Sequence, residues 1–185
     1  MPAHEIINGK LFLGSAIDAR KVDEGDNPFG ITHVLNVADY RVLRPGGTQT
    51  ELVCEWVPMN DDGCDEVFGR MQTEEEYEDE LSKDPDARPR GAWHRCRKFL
   101  EESFKDADAR VLVHCAMGVN RSATIVIAWL MVTKHWGLDK AKQFVKQRRW
   151  INPVPDHMEQ LKAFEKTLVS AKGNNCHSCH NCLLL

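Results

Sequence analysis

The tightest constraint on this chain is a short polar loop held between two apolar stretches. Val111-Leu112-Val113 reads as a buried strand, and Ile125 to Val132 as part of a buried helix. Between them run His114, Cys115, Ala116, Met117, Gly118, Val119, Asn120, Arg121 and Ser122. A strand that passes through a tight loop into a helix aims converging backbone N–H groups and a helix N-terminus at one point. That point attracts anions. Gly118 gives the loop a residue that tolerates positive φ or close backbone approach. Arg121 can reach back with a planar fork that fits two phosphate oxygens. Cys115, at the base of the loop, then sits in a field that favours the nucleophilic thiolate.

A lone cysteine is more often a small core hydrophobe than a catalyst. Here five residue types recur at fixed spacing, and a chance match in a chain this size is on the order of one in several thousand. The strand-then-helix context that such a motif requires is also present. The expected chemistry is hydrolysis of a phosphate ester through a cysteinyl-phosphate, with residues 116 to 121 as the phosphate cradle.

The rest of the chain narrows the setting. At 185 residues it is read as one domain able to bury a good core. A formal net charge of −4 argues against general nucleic-acid binding, which needs a basic surface. No apolar run is long enough to cross a membrane, and the N-terminus lacks the basic and apolar regions of a signal peptide. Seven cysteines without such a signal point to a reducing compartment. The expected location is the cytoplasm, with the nucleus left open.

Strands are expected at 11–14, 32–37, 54–57 and 110–114, with a polar, charged segment from Asp18 to Asn27 after the first. Pro45-Gly46-Gly47 marks a turn in a loop from Tyr40 to Thr50. The acidic stretch from Gly63 to Gly91 reads as a solvated insertion with one short helix near 73–81. Trp93, Cys96, Phe99 and Leu100 place a helix at 92–104, and another follows the loop from Ser122 to about His135. Ala141, Phe144 and Val145 mark a further helix, and Met158, Leu161, Phe164 and Leu168 the last. Strands interleaved with helices give an α/β fold: a single domain with a central, mostly parallel sheet flanked by helices. Its expected extent is 1–172, with a flexible tail at 173–185.

A thiolate that displaces phosphate needs a proton donor for the departing oxygen. Asp61 and Asp62 follow the third strand and are the candidates, although Asn-Asp-Asp-Gly also reads as an ordinary turn.

His114-Cys115-x-x-Gly118-x-x-Arg121-Ser122, followed by Ala128-Trp129-Leu130-Met131, resembles the signature of the dual-specificity protein tyrosine phosphatases, especially their small atypical members. Leu11-Phe12-Leu13-Gly14-Ser15, Gly30 to Asn36 and Gln160-Leu161 with Phe164-Glu165 extend the likeness to roughly 5–169. The resemblance implies Cys115 as nucleophile, Arg121 as phosphate-binding arginine and Asp61 as general acid, with Asp62 as the fallback. It implies that Ser122 stabilises the departing thiolate and that His114 orders the loop. Arg149 matches a position where some members contact a second phosphate; a solvated helix-end charge is the other reading. Three departures stand out: the long acidic insertion, Val154 where the family often has asparagine, and His157 where it often has phenylalanine.

The implied activity is removal of phosphate from tyrosine and from serine or threonine on proteins, without metal or cofactor. Ala116, Met117, Val119 and Asn120 add no charge to the loop, which favours a phosphoprotein over a phosphoinositide or RNA 5′-phosphate. A phosphoprotein-binding pseudophosphatase is the alternative of another class. In the tail, Cys182-Leu-Leu-Leu resembles a prenylation signal, with Cys179 or Cys176 as a palmitoyl site that would complete a membrane anchor. A zinc site and a disordered tail are the competing readings.

Overall fold

The computed structural model describes residues 2–43, 52–70, 73–83 and 90–173. The turn at Pro45-Gly46-Gly47 and the tail cysteines Cys176, Cys179 and Cys182 lie outside the described residues.

A five-stranded sheet with the order β1-β2-β5-β3-β4 forms the middle of the domain. The strands are β1 (His4–Ile7), β2 (Leu11–Ser15), β3 (His33–Asn36), β4 (Val53–Trp56) and β5 (Val111–Cys115). Only β1 runs antiparallel to its neighbour; β2, β5, β3 and β4 are mutually parallel. The expected α/β fold with a mostly parallel central sheet is therefore the observed one.

Side-chain alternation along the strands divides the core in two. Leu11, Leu13, Leu35, Val111 and Val113 face a large cluster built with the helices α3 (Ala92–Ser103), α4 (Arg121–Thr133), α5 (Leu138–Lys146) and α6 (Pro155–Gly173). Phe12, Val34 and Leu112 point the other way, onto Ala19 and Val22 of α1 (Ala16–Asp23) and Ile31. Helix α4 is buried on every side from Arg121 to Met131, as its apolar composition requires.

Two elements were not expected. Strand β1 precedes a reversal at Asn8-Gly9, where Gly9 has φ +64°, and that dipeptide is itself a hairpin signal. Helix α1 occupies much of the segment read as merely polar. Ser15 and Asp18 form its capping box, with the Ser15 N–H and Oγ–H both donating to Asp18 Oδ2 at 2.7 Å.

The acidic insertion needs a correction. Helix α2 (Glu74–Lys83) forms where expected, capped by Thr73, and its surface carries ion pairs such as Arg70–Glu76 and Lys83–Asp79. Residues 63–69, however, are not a solvated start to it. Val67 is fully buried, and Phe68 stacks on Phe164 at 4.6 Å between centroids. Gln160 holds the segment by donating to the carbonyls of Gly63 (2.9 Å) and Asp65 (2.7 Å) and accepting from the Val67 N–H (2.9 Å). The backbone after Asp61 and Asp62 is thereby anchored to α6.

Candidate active site

Cys115 ends β5, the central strand, with Ser15 beside it on β2 and Asn36 of β3 beside His114. This is the carboxyl edge of a parallel sheet, where open α/β folds place ligands. From Cys115 the chain turns into α4 through a loop whose Gly118 has φ +71°. A Cβ there would lie 2.2 Å from the Gly14 carbonyl oxygen, so the position requires glycine on grounds of space as well as conformation. The Ala16 N–H donates to the Ala116 carbonyl at 3.1 Å, which binds the loop to the start of α1.

Cys115 is 2% exposed, and its sulfur is met by donors. The Gly118 N–H and the Ser122 Oγ–H both point at Sγ from 3.2 Å. Burial alone pushes the thiol's pKa up. The Ser122 hydroxyl, with the N–H groups of Ser122, Val119 and Gly118, outweighs that and holds it below the ordinary thiol value. The donors that meet the sulfur favour its anionic form, at the base of a ring of backbone N–H groups.

His114 lies wholly inside the protein, and its Nδ1–H donates to the Cys115 carbonyl at 3.2 Å. Burial drives its pKa down to about 4, so it is neutral and cannot shuttle protons at pH 7.

Arg121 is 3% exposed and reaches toward the third and fourth strands. Its Nη1 donates to Asp39 Oδ1 at 2.7 Å and to the Met59 carbonyl at 3.0 Å. Its Nε lies 2.9 Å from Asp61 Oδ1, an ion-pair contact without hydrogen-bond alignment. Asp39 was missed by sequence reasoning. It sits on a turn after β3 that Asn36 shapes, by accepting from the Ala38 N–H (2.8 Å) and donating to the Tyr40 carbonyl (2.9 Å). Nothing local in sequence announces that this carboxylate meets an arginine so far along the chain.

Asp61 and Asp62 part company. Asp61 lies against the loop, its carbonyl and Oδ1 accepting from Asn120 Nδ2 at 2.6 and 3.0 Å. Asp62 instead accepts from the Cys64 N–H at 2.9 Å. That bond, followed by the Cys64 side chain, holds the Asp62 carboxyl below its usual value.

Arg149 is not a solvated helix-end charge: it is 2% exposed, and four of its five N–H donors are engaged. Nε donates to the Gly118 carbonyl (2.8 Å), Nη2 to the Met117 carbonyl (3.0 Å), and Nη1 to the Pro2 carbonyl (2.6 Å) and His4 Nδ1 (2.9 Å). Arg149 supports the phosphate loop from behind and ties it to the N-terminal segment.

Comparison with known proteins gives the family. Human Protein phosphatase Slingshot homolog 2 is 31% identical over 163 residues, or 88% of this chain and 10% of that protein. Dual specificity protein phosphatase 1 of Mus musculus is 33% identical over 161 residues, or 86% of this chain and 36% of that protein. The chain thus spans about a third or less of the length of these relatives. The crystal structure of human DUSP28 superposes with a TM-score of 0.65 at 26% identity, covering 91% of this chain and 96% of that one. The human tyrosine phosphatase-like serine/threonine/tyrosine-interacting protein shares the fold, with a TM-score of 0.68 at 24% identity over 91% of this chain and 98% of that one. Residues 11–167 match the family model described as "Dual specificity phosphatase, catalytic domain", and the chain belongs to that family.

Proposed function

We propose that the chain is a cysteine-dependent protein phosphatase that removes phosphate from tyrosine and from serine or threonine on phosphoproteins. The observation that carries the reading is the hydrogen-bonded Cys115 thiolate at the base of the loop, with Arg121 and Asp61 at its rim.

The thiolate attacks phosphorus in line with the ester oxygen. An S–P bond forms, the P–O bond to the substrate breaks, and Asp61 gives its proton to the departing oxygen. Arg121 and the loop N–H groups hold the three equatorial oxygens throughout. Ionised Asp61 then takes a proton from water as that water attacks phosphorus. The S–P bond breaks, inorganic phosphate leaves and the thiolate returns, with Ser122 stabilising it. Asp39 keeps the guanidinium in place through the cycle.

Arg149 supports a singly phosphorylated substrate over a phosphoinositide or an RNA 5′-triphosphate. Its guanidinium serves loop carbonyls, and the neighbouring positions Ala116, Met117, Val119 and Asn120 bring no cation to a second phosphate. The presence of both Cys115 and Arg121 weighs against a binding-only pseudophosphatase.

Turnover of phosphotyrosine and phosphothreonine peptides by wild type and Cys115→Ser tests the reading. Wild type should release phosphate, and the variant should bind the peptides without release. Substantial turnover by Cys115→Ser would refute the mechanism. Faster hydrolysis of a phosphoinositide than of any phosphopeptide would refute the substrate class.

A further inference from the structure

Helix α6 brings a buried histidine against the nucleophile's loop, with half of its ring uncommitted among the described residues. His157 is fully buried, its Nδ1 lies 2.8 Å from Asn120 Oδ1, and its Nε2 has no hydrogen-bond partner among the described residues. Asn120 uses both ends of its amide. Nδ2 donates twice, to the carbonyl and to the Oδ1 of Asp61. Oδ1 faces the Val154 N–H at 3.0 Å as well as His157.

This pattern fixes the orientation of every group in it. The Val154 N–H can only donate, so the atom it meets on Asn120 is the oxygen. His157 Nδ1 meets the same oxygen and must therefore carry a proton. The ring then carries its proton on Nδ1, and Nε2 is enclosed by protein without a hydrogen-bond partner among the described residues. Burial pushes His157 below the ordinary histidine value. Of the charged groups facing it, Asp61, Asp62 and Asp156 favour the cation, and Arg121 opposes it. With two donors locking Oδ1, the amide cannot flip, and Nδ2 stays directed at Asp61.

We propose that His157 is a positioning residue for the proton donor: acting through Asn120, it holds Asp61 against the phosphate loop. The proposal rests on the assignment of Asp61 as general acid. It makes Asn120 more than a neutral spacer in the loop. Without the His157 donor, one of the two bonds to Oδ1 is gone, and Asn120 can swing away from the Asp61 backbone. The Asp61 side chain is 66% exposed, so besides Asn120 it is held only by its ion-pair contact with Arg121 among the described residues. A nucleophile left intact beside a misplaced acid has a specific signature. Reaction with a good leaving group survives, and reaction with a poor one slows.

The test is kcat/KM for p-nitrophenyl phosphate and for phenyl phosphate in wild type, His157→Phe, His157→Gln and Asp61→Asn. Phenylalanine keeps a ring of similar volume without a donor. Glutamine restores a donor that does not titrate. His157→Phe should lose about tenfold on phenyl phosphate, a fraction of the 10²–10⁴ that a general acid supplies, and less than about twofold on p-nitrophenyl phosphate. His157→Gln should recover most of the loss. Equal loss on both esters, with no rescue by glutamine, would mean that His157 only supports the fold and would overturn the proposal. So would wild-type behaviour of His157→Phe on phenyl phosphate. Asp61→Asn separates this failure from a deeper one. If that variant shows no leaving-group dependence, the assignment of the acid is wrong, whatever His157 does.

Discussion

Replacing Ser122 with alanine isolates one of the contacts that activate the nucleophile. The hydroxyl is fully buried and donates to Cys115 Sγ at 3.2 Å, so the variant removes a donor and leaves the fold's packing nearly unchanged. A hydrogen bond to a charged group contributes about 1.5–3 kcal/mol. At 1.36 kcal/mol per pH unit, its loss raises the thiol pKa by roughly one to two units. The N–H groups of Ser122, Val119 and Gly118 still favour the anion, so the lower end is expected. Two effects then compete. Below the wild-type pKa the variant holds about ten- to a hundredfold less thiolate, yet each thiolate is more nucleophilic, with a Brønsted slope of about 0.4–0.5. The rate of alkylation by iodoacetamide, measured from pH 5 to pH 10, should therefore cross over. At low pH the variant should react about three- to tenfold more slowly, and above both pKa values about three- to tenfold faster. A uniform change across the whole range would refute the reasoning, because it would mean that Ser122 shapes access to the sulfur rather than its charge.

Arg149→Ala should destabilise the domain by about 3 kcal/mol or more, because it leaves the carbonyls of Pro2, Met117 and Gly118 without their donor. Urea unfolding measures this, and a loss under 1 kcal/mol would show that water replaces the guanidinium at no cost. Arg149→Lys should recover only part of the loss, since one ammonium cannot reproduce the fork. His114 makes the protein acid-sensitive in a defined window. Its folded pKa of about 4 lies below the ordinary value of 6.5, so its stabilising effect is complete above pH 6.5 and is lost as the pH falls toward 4. At pH 5 its contribution should be about 2 kcal/mol smaller than at pH 7, and His114→Asn should remove that part of the slope. An unchanged slope in the variant would assign the acid sensitivity to other groups.

Much of the fold was legible because its signals are local. The apolar run 111–113, the all-round apolar helix after the loop and the alternation of Leu11, Phe12 and Leu13 each carry their own period. Helix α1 and strand β1 also carry local signals, the Ser15–Asp18 capping pair and the Asn8-Gly9 turn, but the polar composition around them masks both. The segment 63–69 was misread because its acidic neighbours hid Val67 and Phe68, whose burial depends on Gln160 and Phe164 of a distant helix. Asp39 and Arg149 are the harder cases. Each acts through partners more than eighty or a hundred residues away, Arg121 for the first and Pro2 and His4 for the second. No spacing rule reaches that far.

The buried Arg149 fork has a consequence for how the protein comes into being. It joins residues 2 and 4 to residues 117 and 118, while the carboxylates of Asp39 and Asp61 join the same loop through Arg121. Contacts this remote in sequence form late, because the chain between them must first be closed into loops. During synthesis, Cys115 emerges well before the arginine that supports its loop. The donors that favour the anionic sulfur belong to the loop and the first turn of α4. The reactivity of Cys115 therefore depends on the loop being held in its native shape, and the alkylation rate of a single side chain reports on that loop.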